Sequence, residues 1–184
     1  MHSHTLSQGR ASVRRFLGAL KGFSVNFKWH RHTEPLVIEG EDATDKVLEA
    51  YRRGVRNFDG SIFPDNADFC EQKLHRVSFA GARLTQAWFC CGSFRGACFA
   101  NAFLEESSFD DSDCRGVDFS GANLAGAEFQ NTDLKGAKFT DAQLQGAFFD
   151  RADLVGVDLT GANVQDAEFL DVRRVRSEPP FVEL

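Results

Sequence analysis

The sequence of 184 residues is poor in several features that mark common classes of protein. No apolar run approaches the roughly 18 residues that span a bilayer, and no signal-peptide core is present, so neither a membrane-spanning nor a secreted protein is indicated. The five cysteines include no C-x-x-C pair, which leaves no regular zinc or redox motif. We therefore expect reduced thiols and a cytoplasmic protein.

Side chains with catalytic or metal-ligating chemistry are scarce as well. His75 is the one histidine beyond residue 32, no glycine-rich loop opens a helix, and no nucleophile lies in a known motif. We predict no catalytic residues, no cofactor and no metal site. Cys70 and Cys90 are 20 residues apart with Cys91 beside them, and we interpret them as small side chains on a crowded surface, with a redox or metal role left open.

The charge is divided unevenly along the chain. Residues 1–33 hold six Lys or Arg and no acid, whereas residues 66–171 hold 17 acids and 8 bases. The total of −6 makes direct nucleic-acid binding unexpected. The chain thus has a basic head and an acidic body.

The body repeats with a period of five residues. Starting from Leu124, one large apolar residue returns every fifth position without a slip from Phe69 to Phe169, with a chance probability on the order of 10⁻⁸. The residue two before each of these centres is small in every case except Gln72, and the residue two after is mostly Gly, Asn or Asp, which tolerate tight turns. A chain that turns in every unit can form flat coils that stack as parallel strands, which is a solenoid.

The strings Ala122-Asn123-Leu124-Ala125-Gly126 and Ala162-Asn163-Val164 resemble the pentapeptide-repeat family. The resemblance covers 105 of the 184 residues and implies an all-β fold, a right-handed, four-sided parallel β-helix with four repeats per coil. Residues 20 apart should then stack in columns. We predict a structural core built from two such columns: Phe69, Phe89, Phe109, Phe129, Phe149 and Phe169; Leu84, Leu104, Leu124 and Leu144.

The remaining segments fall outside the regular repeat. We predict a basic extension over 1–41, a capping helix over 42–54 started by Asp42, the β-helix over 55–171 with an irregular first coil, and a tail or cap over 172–184. Val25, Phe27 and Trp29 alternate like a strand that residues 36–38 could pair with. The extension is interpreted as a partly disordered tail, with residues 10–23 as a membrane-surface, targeting or partner-binding segment in the alternative.

One predicted side of the solenoid is suited to binding. The units around the all-Phe column contain eight acids and one base, giving 1 − 8 = −7, and two aromatics stand before their centres. We predict a protein-binding face formed by Asp68, Trp88, Asp110, Glu128, Phe148, Asp150 and Glu168. On the next side, the acids Asp113, Asp133 and Asp153 adjoin Arg95, Arg115 and Lys135, so that side is interpreted as structural.

These observations favour a non-enzymatic interaction module, a rigid acidic solenoid that binds an unidentified basic protein. The family resemblance adds one alternative, a DNA mimic that binds a type II topoisomerase and protects it from quinolones, with end-to-end dimers. The other alternative is a membrane-linked or organelle-targeted spacer held by the basic head. The partner, the pathway and the oligomeric state are not determined by the sequence.

Overall fold

The computed structural model describes residues 36–174. The predicted segment 10–23, most of the basic extension and the end of the tail lie outside the described residues. Within the described range the one helix, α1, spans Ala43–Arg52, and the rest is built from coils whose sides are single bridged residues separated by turns.

Successive coils pair in parallel with a register of 20 residues. Asp68 bridges to Trp88, Lys73 to Ser93 and Ser78 to Cys98, and Arg83 bridges to Phe103 on the fourth side. The four ladders of bridges run side by side through the body, so each five-residue unit is one side of a four-sided coil. In the first coil the register is 21, as in the bridges Asn57–Ser78 and Ile62–Arg83, because one extra residue lies between Phe63 and Phe69.

The turn between sides explains why the residue two after each centre is mostly Gly, Asn or Asp. The backbone N–H three residues after a centre donates to the carbonyl of that centre, as Ala82 does to Phe79 at 3.0 Å. Every residue two after a centre from Phe69 to Phe169 has positive φ, between 50° and 72°. Positive φ at the third residue alone is the geometry of a type II turn. Glu71, Arg76 and Arg151 adopt it as well, without the freedom of glycine.

The interior is filled by the large residues at the centres. The rings of Phe89 and Phe109 stack with centroids 4.5 Å apart and an angle of 5° between their planes, and Phe89 meets Phe99 of the neighbouring side edge-on at 5.4 Å. The predicted core residues of both columns are buried up to Phe149. Phe169 is only half-buried, because it belongs to the last coil of the described range, although its ring still stacks on Phe149 at 4.8 Å.

The start of the body differs from the prediction in two details. Asp42 stands at the N-cap position of α1 but makes no capping hydrogen bond, because its carboxylate pairs with Lys46 at 2.6 Å. The segment at 36–39 pairs with the first coil, since Ile62 N–H donates to Ile38 O at 2.8 Å and Glu39 bridges Ile62. Predicted strand partners at 25–29 lie outside the described residues.

Candidate functional site

The predicted protein-binding face lies along one continuous ladder. We call this side, the units centred on the all-Phe column, the acidic side. Its outward ladder consists of residues joined by parallel bridges: Asp68, Trp88, Ser108, Glu128, Phe148 and Glu168. The aromatics Trp88 and Phe148 therefore stand on one line, three coils apart, at a separation of about 14 Å for strands roughly 4.8 Å apart.

The two aromatics point outward. Trp88 is 46% exposed and Phe148 is 38% exposed, whereas Phe89 and Phe149, their neighbours in the chain, are buried. Leu170 on the same side is 58% exposed. The sequence reasoning did not single out Leu170, although its place directly after a centre is a partly outward position in every coil.

The carboxylates of the predicted face are not equivalent. Asp68, Glu128 and Glu168 are exposed, while Asp110 and Asp150 are half-buried in the next column. Asp150 pairs with Arg151 at 3.1 Å. Burial raises the pKa of Asp110, the charges of Glu128 and Asp111 add to this, and a backbone hydrogen bond from Gln130 opposes it. The acidic side thus holds carboxylates that repel one another.

Ser108 interrupts the exposed ladder. It is nearly buried, and its hydroxyl lies 3.3 Å from the thiol of Cys90. Its burial interrupts the row of exposed side chains between Trp88 and Glu128. Sequence reasoning had no signal for this burial, because the position was expected to be as outward as its neighbours.

The corner of the acidic side is unusual in having no glycine. Its residues are Glu71, Cys91, Asp111, Asn131, Arg151 and Asp171, and all have positive φ. A non-glycine residue in this conformation costs roughly 1–2 kcal/mol, less for Asn and Asp. The corner of the next side has glycine from Gly96 to Gly156. The acidic side therefore has side chains at positions where the backbone conformation favours glycine.

The neighbouring side, centred on the column from Leu74 to Leu154, is a charge ladder, and we call it the ladder side. Its charges over 72–174 are seven bases and three acids, 7 − 3 = +4. Each acid is shared by two bases at 2.5–3.5 Å: Asp113 with Arg95 and Arg115, Asp133 with Arg115 and Lys135, and Asp153 with Lys135 and Arg173. The alternation neutralises columns that would otherwise repel along the stack.

The cysteines lie where the 20-residue register places them. Cys70 and Cys90 occupy one column of the acidic side, Cys91 is exposed at the corner, and all five thiols are free. Burial raises the pKa of Cys70 to about 12, with Asp68 and Cys90 contributing. Cys114 at a centre is fully buried, and burial likewise raises its pKa to about 12. Thiols in this state are poor nucleophiles.

Residues 36–174 contain no group of three or more His, Cys, Asp or Glu placed to hold a metal ion. Over the same range no helix has the length and apolarity needed to cross a membrane. A second exposed apolar pair, Ile62 and Phe103, flanks Arg83 on the Leu84 side, which the sequence reasoning did not identify.

The four parallel ladders and the 20-residue coil define a parallel β-solenoid. Residues 72–159 match the family model of the pentapeptide repeat region. The repeat body of this chain therefore belongs to the pentapeptide-repeat family, which confirms the resemblance seen in the sequence.

Several solved structures are similar to the chain. A pentapeptide repeat protein, Rfr23, from the cyanobacterium Cyanothece 51142 is 20% identical, with 71% of this chain and 99% of that chain covered and a TM-score of 0.42. HetL from Nostoc sp. strain PCC 7120, involved in heterocyst differentiation regulation, is 19% identical over 67% and 93% of the two chains, with a TM-score of 0.21. Full-length QnrB1, a plasmid-mediated fluoroquinolone resistance protein, is 19% identical over 65% and 84%, with a TM-score of 0.26. No curated protein sequence matches.

Proposed function

We propose that this protein is a non-enzymatic interaction module whose acidic side binds a basic segment of a partner protein. The observation that carries the proposal is the pair of exposed aromatics, Trp88 and Phe148, on one ladder of a side with net charge 1 − 8 = −7. Pentapeptide-repeat proteins are generally structural or interaction modules, which supports the class.

The two kinds of side chain have separate roles in such a surface. Exposed aromatics bury large apolar area at low entropic cost and act as anchors. The carboxylates around them raise the rate of encounter with a basic partner, and raising the salt concentration weakens that steering. An anchor spacing of about 14 Å suits one amphipathic helix of three turns, since a helix rises roughly 1.5 Å per residue.

The corner of the acidic side, which has no glycine, also supports this side as the binding face. Side chains at Glu71, Cys91 and Arg151 are retained in a left-handed conformation that glycine would adopt freely. Strain of this kind tends to persist where side chains are needed for function. The other three corners of the body each contain at least two glycines, among them Gly116, Gly121 and Gly126.

We propose a right-handed coil closed at its first end by α1, supported by the burial of Ala43 and Val47 in the same core as the phenylalanines. We propose a cytoplasmic protein, supported by the five free cysteines of the chain.

The experiment is an affinity capture with the full chain from a lysate of its source. The double variant Trp88→Ala/Phe148→Ala is compared with Phe103→Ala, which removes an equally exposed aromatic from another side. We expect basic partners that are lost with the double variant and kept with Phe103→Ala. Equal capture by all three proteins would contradict the proposal.

A topoisomerase-binding DNA mimic is the second candidate, and the acidic ladder favours it. Carboxylates that repeat at each coil present a regular line of negative charge, as a nucleic-acid backbone does. The ladder side argues against a DNA mimic, because its net charge of 7 − 3 = +4 means that the rod is not negatively charged on all sides. Recovery of a type II topoisomerase in the capture experiment would place this candidate first.

A further inference from the structure

A basic groove lies where the end of α1 meets the first coils of the ladder side. It is lined by Tyr51, Arg56, His75, Arg76 and Arg95 and has a volume of about 580 Å³. Three guanidinium groups therefore line one open groove in a protein whose net charge is −6.

The floor of the groove is fixed by hydrogen bonds. The Arg56 guanidinium stacks on the Tyr51 ring with its carbon 3.7 Å from the ring centroid. Its Nη1 donates to the carbonyls of Tyr51 and Val55, both at 2.8 Å. The Tyr51 hydroxyl donates to the carbonyl of His75 at 3.2 Å, which ties α1 to the coil that carries the groove.

The donors that remain point to an anionic ligand. Within residues 36–174, Arg76 makes no side-chain hydrogen bond or ion pair, and Arg56 has Nε and Nη2 left over after its two carbonyl bonds. Arg95 gives Nε to Asp113 at 2.5 Å and keeps both terminal nitrogens. Asp113 is the carboxylate that pairs with Arg95, and Arg115 shares the same carboxylate.

We propose that this groove binds a small free phosphate ester or pyrophosphate, independently of the acidic side. Planar guanidinium forks match the oxygens of a phosphate group in pairs, and charge-assisted bonds of this kind are the stronger hydrogen bonds of proteins. A compact ligand fits better than a polymer, because the bases further along the ladder side, Arg115 and Lys135, are already paired with aspartates.

The test is calorimetric titration of the full chain with pyrophosphate at low ionic strength. We compare the wild type with Arg76→Gln and Arg95→Gln, and Arg83→Gln is the matched control. Arg83 is an exposed arginine on the Leu84 side with no side-chain partner in the described range. We expect saturable 1:1 binding, weakened about tenfold or more by Arg76→Gln and unchanged by Arg83→Gln.

A DNA duplex and a phosphoserine peptide are titrated as further arms. Tighter binding of either of them than of pyrophosphate would overturn the assignment to a small phosphate. Absence of saturable heat, or equal weakening by Arg76→Gln and Arg83→Gln, would overturn the site itself. A circular dichroism spectrum matching the wild type shows that each variant is folded. Pyrophosphate binding in the groove does not depend on Trp88 or Phe148, so a failure of the proposed function would leave this result unchanged.

Discussion

The acidic side and the ladder side share one backbone but treat charge in opposite ways. On the ladder side each of three aspartates is held between two bases, at distances of 2.5–3.5 Å. On the acidic side the ion pair between Asp150 and Arg151 is the one salt bridge found in the described residues. The repeat therefore specifies the coil without specifying the surface, and the outward residues of each side are free to take different roles.

The largest expected effect separates core from surface on the acidic side itself. Phe149→Ala should lower the free energy of unfolding by roughly 3–5 kcal/mol, because a buried ring stacked between Phe129 and Phe169 is lost. Phe148→Ala, one residue earlier and 38% exposed, should cost under about 1 kcal/mol. Denaturant melts of both variants provide the measurement, and similar losses would mean that the outer ladder is needed for folding.

The ladder side should lose stability when one charge is removed. Asp153→Asn should lower the free energy of unfolding by about 1 kcal/mol, since its side chain is 16% exposed and pairs with Lys135 and Arg173. Glu168→Gln near the same end of the body, with no ion pair in the described residues, is the control and should change little.

The effect of Asp153 should also depend on pH. Burial acts to raise its pKa, but the hydrogen bonds from Lys135 and the Val155 N–H, together with the charges of Lys135 and Arg173, leave the pKa below the ordinary value of 3.8. The contribution of a carboxyl with a lowered pKa is present above its unfolded pKa and is lost as the pH falls through the folded one. The difference between Asp153→Asn and the wild type should vanish well below pH 3.8, and a difference that persists there would argue against the ion pairs.

The corners provide the third comparison. Glu71→Gly should stabilise the protein by several tenths of a kcal/mol, because glycine relieves a φ of 61° on the acidic side. Gly136→Ala at the ladder-side corner should cost about 1 kcal/mol, since φ is 67° and no atom within 4 Å would clash with the new methyl group. Thermal unfolding of the two variants measures these changes in stability. A Glu71→Gly variant less stable than the wild type would show that this corner is not strained, and backbone strain would no longer support the acidic side as the binding face.

The smallest expected effect has the opposite sign to that of Asp153. Asp110→Asn should raise the free energy of unfolding by a few tenths of a kcal/mol at pH 7, after allowance for solvent screening, while keeping the acceptor for the Gln130 N–H. Because burial raises the pKa of Asp110, the wild type gains stability as the pH falls through that raised value. The advantage of the variant should therefore shrink in acid, and a variant less stable than the wild type at pH 7 would contradict the repulsion.

Much of the fold could be predicted because the repeat is a local rule. One apolar centre, one small residue and one turn residue recur from Phe69 to Phe169, and each unit needs to satisfy only its neighbours in adjacent coils. The end of the body could not be read in this way, so Phe169 was expected to be buried when it is half-exposed. The error at Asp42 has a similar origin, because a capping residue and an ion-pairing residue look alike in a sequence.

The site was less accessible to sequence reasoning than the fold. The columns placed Trp88 and Phe148 on one outward line, because the period alone fixes which residues alternate in and out. The basic groove joins Tyr51 and Arg56, which precede the repeat, to His75 and Arg76 within it. Its members come together only through the way α1 packs, and no period in the sequence encodes that packing.

The proposed function claims that the acidic side is an open, negatively charged surface in the full chain, and Trp88 fluorescence can show whether it is. The measurement uses full-length protein with Trp29→Phe, so that Trp88 is the one tryptophan, and compares quenching by caesium and by iodide at low and high salt. We expect caesium to quench more strongly than iodide at low salt, each taken relative to its quenching of free N-acetyltryptophanamide. The difference should fade as the Debye length falls from about 10 Å at 0.1 M toward roughly 3 Å at 1 M. A blue-shifted emission that resists both ions, or equal quenching by the two at low salt, would contradict the claim.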